Sequence, residues 1–379
     1  PRTPRRRHAV PDPPAVTGVT PVPSGAPPDA ALDTTRDAGL DPAIDPGSRG
    51  LYARVAAWRR HRYAQPGRAR RLARPVISVG NVASGGRGKT PIVARLARLL
   101  VEAGERPAIL TRGYRRTDPV DGVTVVSDGV RALADLARAG DEPLMLARGI
   151  PGAGVFVSPD RFLAGTLAER RFGATVHLLD DGFQHLALAR DVDLAVVAAA
   201  DERDRPLPRG GLREAFGAVR HADALIVTGE TPAEAAALAA RWGVAHAFTA
   251  VPRPAVPRAV DPWGGAVRLP RDRPVVAVAG IARPDGFFAD LEAAGWHLVD
   301  RVAFRDHHAF TAADITSLAR RVREHGAAAV LTTEKDAVRL QPLRPQPFAA
   351  AFVPLTVTIE PEDVFTQWLL ARLAAAAGR

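Results

Sequence analysis

From residue 75 onward, short apolar runs alternate with stretches whose apolar residues recur every three or four positions. The runs at 76–79, 108–111, 155–157, 176–180, 192–197 and 224–227 are short, β-branched and bounded by polar or glycine-bearing segments, which predicts strands. Between the first two, residues 90–103 place Ile92, Leu96, Leu99 and Leu100 at helical spacing. Strand–helix alternation predicts an α/β domain: a mostly parallel sheet with helices on both faces. The pattern changes over 251–270, where five prolines and the pair Gly264-Gly265 predict a linker. A second series follows, with strands at 275–279, 298–304 and 329–332 and helices at 287–294 and 311–324, the last opening on Thr311 as N-cap. A final helix is expected near 364–375. The expected organisation is a first α/β domain over 75–250, a linker over 251–270 and a smaller second α/β domain over 271–379.

The first 74 residues break this pattern. Residues 1–48 hold 11 prolines and no aromatic residue. Such a segment buries too little to offset its ordering entropy and is expected to be disordered. Over 49–74, Leu51, Val55 and Trp58 recur at helical spacing among Arg54, Arg59, Arg60 and Arg62. That predicts a short basic amphipathic helix. It suits either a membrane interface or packing on its own domain with a solvated arginine face.

Charge sharpens that choice. Residues 1–74 carry 14 Arg and 6 Asp, so their net of +8 is most of the chain's +10. A basic collar of this kind points to an anionic surface, membrane or nucleic acid. There is no cysteine, which excludes disulfides, thiolate metal sites and cysteine nucleophiles. No apolar run approaches the ~18 residues of a spanning helix. The early run Arg5-Arg6-Arg7 has no apolar stretch behind it, so no signal peptide is expected. Of 51 basic residues only Lys89 and Lys335 are lysine. Where generic positive charge has become arginine, a surviving lysine suggests a site needing a compact ammonium.

Lys89 sits in such a context. Val76-Ile77-Ser78-Val79-Gly80 runs as a strand into Ala83-Ser84-Gly85-Gly86-Arg87-Gly88-Lys89-Thr90, and a helix follows. Strand, glycine loop, Lys-Thr and helix are the parts of a P-loop. The loop's backbone N–H groups and the helix N-terminus cradle phosphate. Lys89 would reach the β- and γ-phosphates of ATP, and the Thr90 hydroxyl would ligate Mg²⁺. Ala83 departs from the usual glycine, with Gly85 and Gly86 still allowing the turn.

Carboxylates end other strands. Asp180 and Asp181 follow an apolar run, as a Walker B acid does on the Mg²⁺ side of a P-loop site, and Gly182-Phe183-Gln184-His185 extends the motif. Asp141 and Glu142 precede a helical stretch and also read as an ordinary cap. Asp306-His307-His308 follows a strand of the second series. Adjacent histidines point apart, so a zinc pair is not expected, whereas one of them against the first domain's carboxylates would suit proton transfer. Arg209 and Arg213, in Leu207-Pro208-Arg209-Gly210-Gly211-Leu212-Arg213-Glu214, either clamp phosphate or add surface charge.

Taken in order, Ser78-Val79-Gly80-Asn81, the glycine loop through Pro91, Arg112-Gly113-Tyr114, Gly140-Asp141-Glu142-Pro143, Asp160-Arg161, Asp180 to His185, Leu212-Arg213-Glu214, Asp306-His307-His308 and Thr333-Glu334-Lys335-Asp336 resemble the tetraacyldisaccharide 4'-kinase family, the lipid A 4'-kinases of Gram-negative bacteria. The resemblance covers about residues 50–370. It implies transfer of the ATP γ-phosphoryl group to the 4'-hydroxyl of a tetraacyldisaccharide 1-phosphate, giving lipid IVA at the cytoplasmic face of the inner membrane. It implies two α/β/α domains joined by a β linker, with the site in the cleft between them. It pairs Asp141 with His307, with Asp141 accepting the hydroxyl proton and His307 tuning it; the reverse order is open, because a coupled pair shares its titration. Asp180 and Asp181 match Mg²⁺-side acids. Tyr114, Glu142, Gln184, His185, Arg213 and Glu214 match positions at the active-site edge.

The N-terminal stretch is shorter and richer in arginine than the family's apolar anchor helix. That favours reversible adsorption on anionic lipid, as a monomer, over permanent anchoring. Two other readings are weaker. Partitioning ATPases carry a second lysine just before the glycines, where this chain has Ser84. A nucleic-acid partner would need aromatic residues interleaved with the basic ones, and 49–74 offers only Tyr52, Trp58 and Tyr63 on a helix, so nucleic acid is not an expected partner. The role of Lys335 is left open by the sequence.

Overall fold

The computed structural model describes residues 51–85, 88–114 and 116–378. In chain order the elements are α1 (Leu51–Ala64), β1 (Val76–Gly80), α2 (Lys89–Glu102), β2 (Pro107–Thr111), β3 (Thr124–Asp128), α3 (Leu136–Ala139), α4 (Asp141–Gly149), β4 (Gly154–Val157), α5 (Arg161–Phe172), β5 (Val176–Asp180), β6 (Val192–Ala198), β7 (Ala224–Thr228), α6 (Pro232–Arg241), β8 (His246–Pro254), β9 (Arg258–Ala259), β10 (Pro274–Ala279), α7 (Pro284–Ala293), β11 (His297–Ala303), α8 (Ala312–Glu324), β12 (Ala329–Thr333), α9 (Glu334–Leu340), β13 (Ala350–Val353), β14 (Leu355–Glu360) and α10 (Glu362–Ala377). The expected disordered segment 1–48 lies outside the described residues.

Nine strands form the first sheet, in the order β14-β8-β7-β6-β1-β5-β2-β4-β3. The seven inner strands pair in parallel, and β3 and β14 close the two edges antiparallel. Successive residues of β1 supply opposite faces, as a pleated strand must. Ile77 and Val79 join a core with Leu96 and Leu100 of α2, Leu144 of α4 and Leu369 of α10. Val76 joins a second core with Ala164 and Ala168 of α5. A third core places Val197 and Val227 against Leu238 of α6. Burial on both faces explains why β1, β5 and β6 read as near-continuous apolar runs.

The second sheet has the order β11-β10-β12-β13-β9, parallel except for β9. Phe288 and Leu291 of α7 cover one face, and Ile315 and Leu318 of α8 cover the other with Ala337 and Leu340 of α9. Thr311 caps α8 in a reciprocal capping box with Asp314, as its sequence predicts.

One expectation needs correcting. Residues 271–379 do not stay together: β14 pairs with β8, and Phe365, Leu369 and Leu373 of α10 are buried in the first sheet's core. The chain returns because the antiparallel pair covers an edge of the larger sheet. The stretch 251–270, expected as a β linker, carries the end of β8 and all of β9. The return matters for function, because it leaves α9 packed where Val338 enters the first core while its neighbours serve the second.

Candidate active site

The glycine loop leaves β1 at Gly80. A Cβ there would lie 2.4 Å from the backbone nitrogen of Phe183, so only glycine lets the turn after β5 pass this closely. The loop is stitched to a distant segment. Ser84 donates its N–H to the Gly211 carbonyl at 2.6 Å and its hydroxyl to the same oxygen at 2.7 Å, while the Arg213 N–H reaches the Val82 carbonyl at 2.6 Å. Buried Ala83 bridges Leu212. Gly85 has φ 94° and Gly88 φ 73°, the left-handed region in which glycine carries no Cβ penalty. Gly86 and Arg87 lie outside the described residues.

Lys89 and Thr90 open α2. The Lys89 ammonium donates to Asn81 Oδ1 at 2.7 Å and sits 2.9 Å from Asp181 Oδ1. Asp181 Oδ2 accepts from Arg213 at 2.7 Å. Burial acts to raise the Asp181 carboxyl, but the charges of Lys89 and Arg213 outweigh it and hold the group below the usual carboxylate range. Asp180 ends β5 and is buried, accepting from the Thr111 hydroxyl at 3.1 Å. Burial first, then the charges of Glu142 and Asp181, push its carboxyl up to about 6. Two adjacent carboxylates beside a threonine hydroxyl are the hard oxygen donors Mg²⁺ takes, and the raised Asp180 marks negative charge that a cation would relieve.

The Leu-Arg-Glu segment ties this cluster to α1. Glu214 accepts Arg60 at 2.6 and 2.9 Å, and its Oε1 also accepts from Gln184 at 2.9 Å. Arg60 stacks 4.3 Å from the centroid of the Phe183 ring. The helix orientation differs from the packing reading, in which the apolar residues turn to the domain and the arginines to solvent. Arg60 points inward, while Val55 and Trp58 are 48% and 57% exposed. His185 is half-buried away from the glycine loop, and burial, then the charges of Arg161 and Arg190, push its ring down to about 4. Arg209 is exposed.

A second cluster joins the two sheets. Asp141 starts α4 behind Gly140, and its Oδ1 accepts the N–H of Glu142 at 2.9 Å. Its Oδ2 meets His307 Nδ1 at 2.8 Å and the Arg339 Nε at 3.2 Å. His307 lies in the loop after β11 at φ 60°. That loop is held from below: His307 donates its N–H to the Gly280 carbonyl, and buried Arg339 donates to the Gly280 and His308 carbonyls at 3.0 and 3.3 Å. Tyr114 presents its ring edge-on, 6.3 Å from the His307 ring. Lys335 stands 2.9 Å from Glu142 Oε1 and 3.3 Å from His307 Nε2.

The expected residues therefore fall into two groups. Lys89, Asp181, Arg213, Gln184 and Glu214 form one network. Asp141, Glu142 and His307 form another, with Tyr114 beside it, and Asp180 feels both through charge. His185 joins neither. Sequence reasoning missed Asn81, Arg60 and Arg339 as partners. Asn81 had a signal in its place between β1 and the glycines, but the two arginines had none in so arginine-rich a chain.

The family model described as tetraacyldisaccharide-1-P 4'-kinase matches residues 47–374. The tetraacyldisaccharide 4'-kinase of Syntrophus aciditrophicus is 38% identical over 325 residues, covering 80% of this chain and 85% of that one. That of Anaeromyxobacter dehalogenans strain 2CP-C is 42% identical over 299 residues, covering 72% and 74%. A crystal structure of LpxK from Aquifex aeolicus, in complex with ATP, superimposes with a TM-score of 0.71 at 30% identity, over 85% of this chain and 96% of that one. The family model over residues 47–374 and these relatives show that this chain belongs to the tetraacyldisaccharide-1-P 4'-kinases.

Proposed function

We infer that the two clusters divide the work of one phosphoryl transfer. The reaction moves the γ-phosphoryl group of ATP to the 4'-hydroxyl of a tetraacyldisaccharide 1-phosphate, giving lipid IVA. Lys89, the glycine loop and the α2 N-terminus bind the phosphates. Thr90, Asp180 and Asp181 would hold Mg²⁺, which when bound offsets charge on the transferring group. Arg213 lies within reach of the same charge through Asp181. Gln184 and Glu214 form the edge nearest α1.

The dyad takes the proton. Both oxygens of Asp141 already accept hydrogen bonds, and His307 turns Nδ1 toward it. A carboxylate at Nδ1 assigns the ring proton there and leaves the lone pair on Nε2. This supports His307 as the acceptor and Asp141 as the group that orients it and stabilises the imidazolium, the reverse of the order expected from the sequence. The contact that carries the reading is His307 Nδ1 to Asp141 Oδ2, which joins the second sheet's loop to α4 beside the phosphate cluster.

Among the described residues no helix is long and apolar enough to cross a membrane. Exposed Val55 and Trp58, among exposed Arg54, Arg59 and Arg62, support adsorption of a monomer on anionic lipid at the cytoplasmic face of the inner membrane. The direct test incubates purified protein with Mg-ATP and tetraacyldisaccharide 1-phosphate in detergent micelles. Mass spectrometry should find one phosphate added to the distal sugar. No product from folded protein that still binds ATP would refute the acceptor.

A further inference from the structure

Lys335 is one of two lysines in the chain, and the transfer as described above gives it no task. It opens α9 behind Thr333, whose hydroxyl caps the helix by accepting the Asp336 N–H at 3.1 Å. The packing of α9 against α4 carries the ammonium to the dyad. Its side chain is 18% exposed, with Nζ 2.9 Å from Glu142 Oε1, 3.3 Å from His307 Nε2, 3.9 Å from Asp141 Oδ2 and 4.0 Å from Asp306 Oδ1.

These distances constrain the protonation of the group. An ammonium only donates. With Nδ1–H directed at Asp141, the lone pair on Nε2 is the acceptor that Lys335 meets. The groups facing His307 are Asp141 from α4, Lys335 from α9, Asp306 from its own loop at 3.7 Å and the Tyr114 ring edge, with Glu142 and Arg339 one contact further out. Lys335 is the one cation in direct contact with the ring among them. A second observation concerns where that cation can go. Asp306 Oδ1 is buried and has no hydrogen-bond partner, and it lies 4.0 Å from the Lys335 ammonium.

We propose that Lys335 is a movable positioning residue that keeps Nε2 of His307 unprotonated until the acceptor hydroxyl arrives, and then withdraws to Glu142 and Asp306. The inference rests on His307 Nε2 being the proton acceptor. In the step, the sugar O–H bond breaks and an Nε2–H bond forms. The freed oxygen pair attacks the γ-phosphorus, whose bond to the ADP oxygen breaks. Lys335 stays protonated throughout. Once Nε2 carries the proton, the ring and the ammonium repel, and the buried Asp306 Oδ1 supplies the replacement contact. Arginine cannot make the same exchange, because a planar fork fixed on a carboxylate does not retract along a single bond vector.

The test is the pH profile of kcat/KM for the full chain, with thermal melts as the check on folding. Lys335→Gln should move the acidic limb to higher pH, since loss of a neighbouring cation favours the imidazolium. Lys335→Arg should keep the limb where it is while lowering kcat. His307→Gln should lower activity at least about 100-fold and abolish the limb. If His307→Gln retains the wild-type limb, the acceptor assignment falls and the proposal with it. If His307→Gln loses the limb but Lys335→Gln leaves it in place, the acceptor stands and the proposal is overturned. Nitrogen-15 NMR of histidine-labelled wild-type protein provides a measurement independent of any variant's folding. At neutral pH it should find His307 with its proton on Nδ1 and a bare Nε2, and an Nε2–H tautomer would overturn the proposal.

Discussion

Asp141 Oδ2 and His307 Nδ1 meet at 2.8 Å although 166 residues separate them in the chain. The His307 position is not relaxed on its own. His307 holds φ 60°, which costs a non-glycine residue about 1–2 kcal/mol. Gly280, Asp336 and Arg339 hold that loop: the Gly280 N–H donates to Asp336 Oδ2 at 2.9 Å, and the Arg339 guanidinium spans from the Gly280 carbonyl to Asp141. The pair is a joint product of α4 and the second sheet, and it exists only while the two remain packed.

A pair that acts as a unit fails as a unit. Asp141→Ala and His307→Ala should each lower kcat by about 10²–10⁴-fold, the usual worth of a positioned base. The double variant should lose little more than the worse single. Steady-state rates of the three variants decide this. Multiplicative losses would mean that the two residues act in separate steps.

Lys89→Ala should remove transfer and weaken nucleotide binding, because the ammonium is the cation of the phosphate cradle. Lys89→Arg should not restore it, since the site between Asn81 Oδ1 and Asp181 Oδ1 holds a point charge at 2.7 and 2.9 Å. Calorimetric titration with ATP, beside the rate assay, separates binding from chemistry. Retained turnover in Lys89→Ala would contradict the phosphate-loop reading.

Much of this was legible before the structure. Strands β1, β5 and β6 sit inside the first sheet and are apolar on both faces, so each reads as a run. The edge strand β14, Leu-Thr-Val-Thr-Ile-Glu, alternates instead, with Val357 and Ile359 buried and Leu355 45% exposed. Half-buried edges carry a weaker signal, and β3 and β14 went unread. The helix α10 was recognised, but nothing in its periodicity says which sheet it covers. In the site, glycines and adjacent carboxylates advertise chemistry, because few structural needs demand them at that spacing. Arg60 and Arg339 do not stand out among 49 arginines, and only tertiary contact reveals them.

The outward face of α1 makes a prediction about membranes. Trp58 and Val55 are exposed beside Arg59 and Arg62. Flotation with vesicles containing anionic lipid should recover the protein at low salt and lose it as salt rises, at about 1 kcal/mol per basic residue near the surface. Val55→Ser with Trp58→Ser should weaken recovery at every salt concentration and leave the fold intact. Equal recovery on neutral vesicles would exclude an electrostatic contribution.

His185 predicts a pH dependence of stability. Its folded-state pKa, pushed down to about 4 first by burial and then by Arg161 and Arg190, lies below the unfolded value of about 6.5. Between those values the unfolded chain binds the extra proton, so stability falls as pH drops from about 6.5 toward 4 and loses no more from this group below that. Urea midpoints across this window should show the slope. His185→Gln should flatten it by one proton, and an unchanged slope would show that the ring titrates normally when folded.

Arg60 is the test of how α1 is attached. It grips Glu214 through two hydrogen bonds, and the side chains are only 10% and 6% exposed. Truncating one partner of a buried pair strands the other's charge, so Arg60→Ala should cost about 3–5 kcal/mol. Glu214 still accepts from Gln184, which moderates the loss without neutralising the charge. Adding Glu214→Gln to Arg60→Ala should therefore recover part of the stability, because an amide tolerates the site that a lone carboxylate does not. Arg60→Lys should fall between, keeping charge but losing the fork and the stacking on Phe183. Urea unfolding of wild type, Arg60→Ala, Glu214→Gln and the double variant gives the coupling energy directly. A coupling near zero would mean that the Arg60–Glu214 pair contributes nothing to holding α1 on the active-site edge.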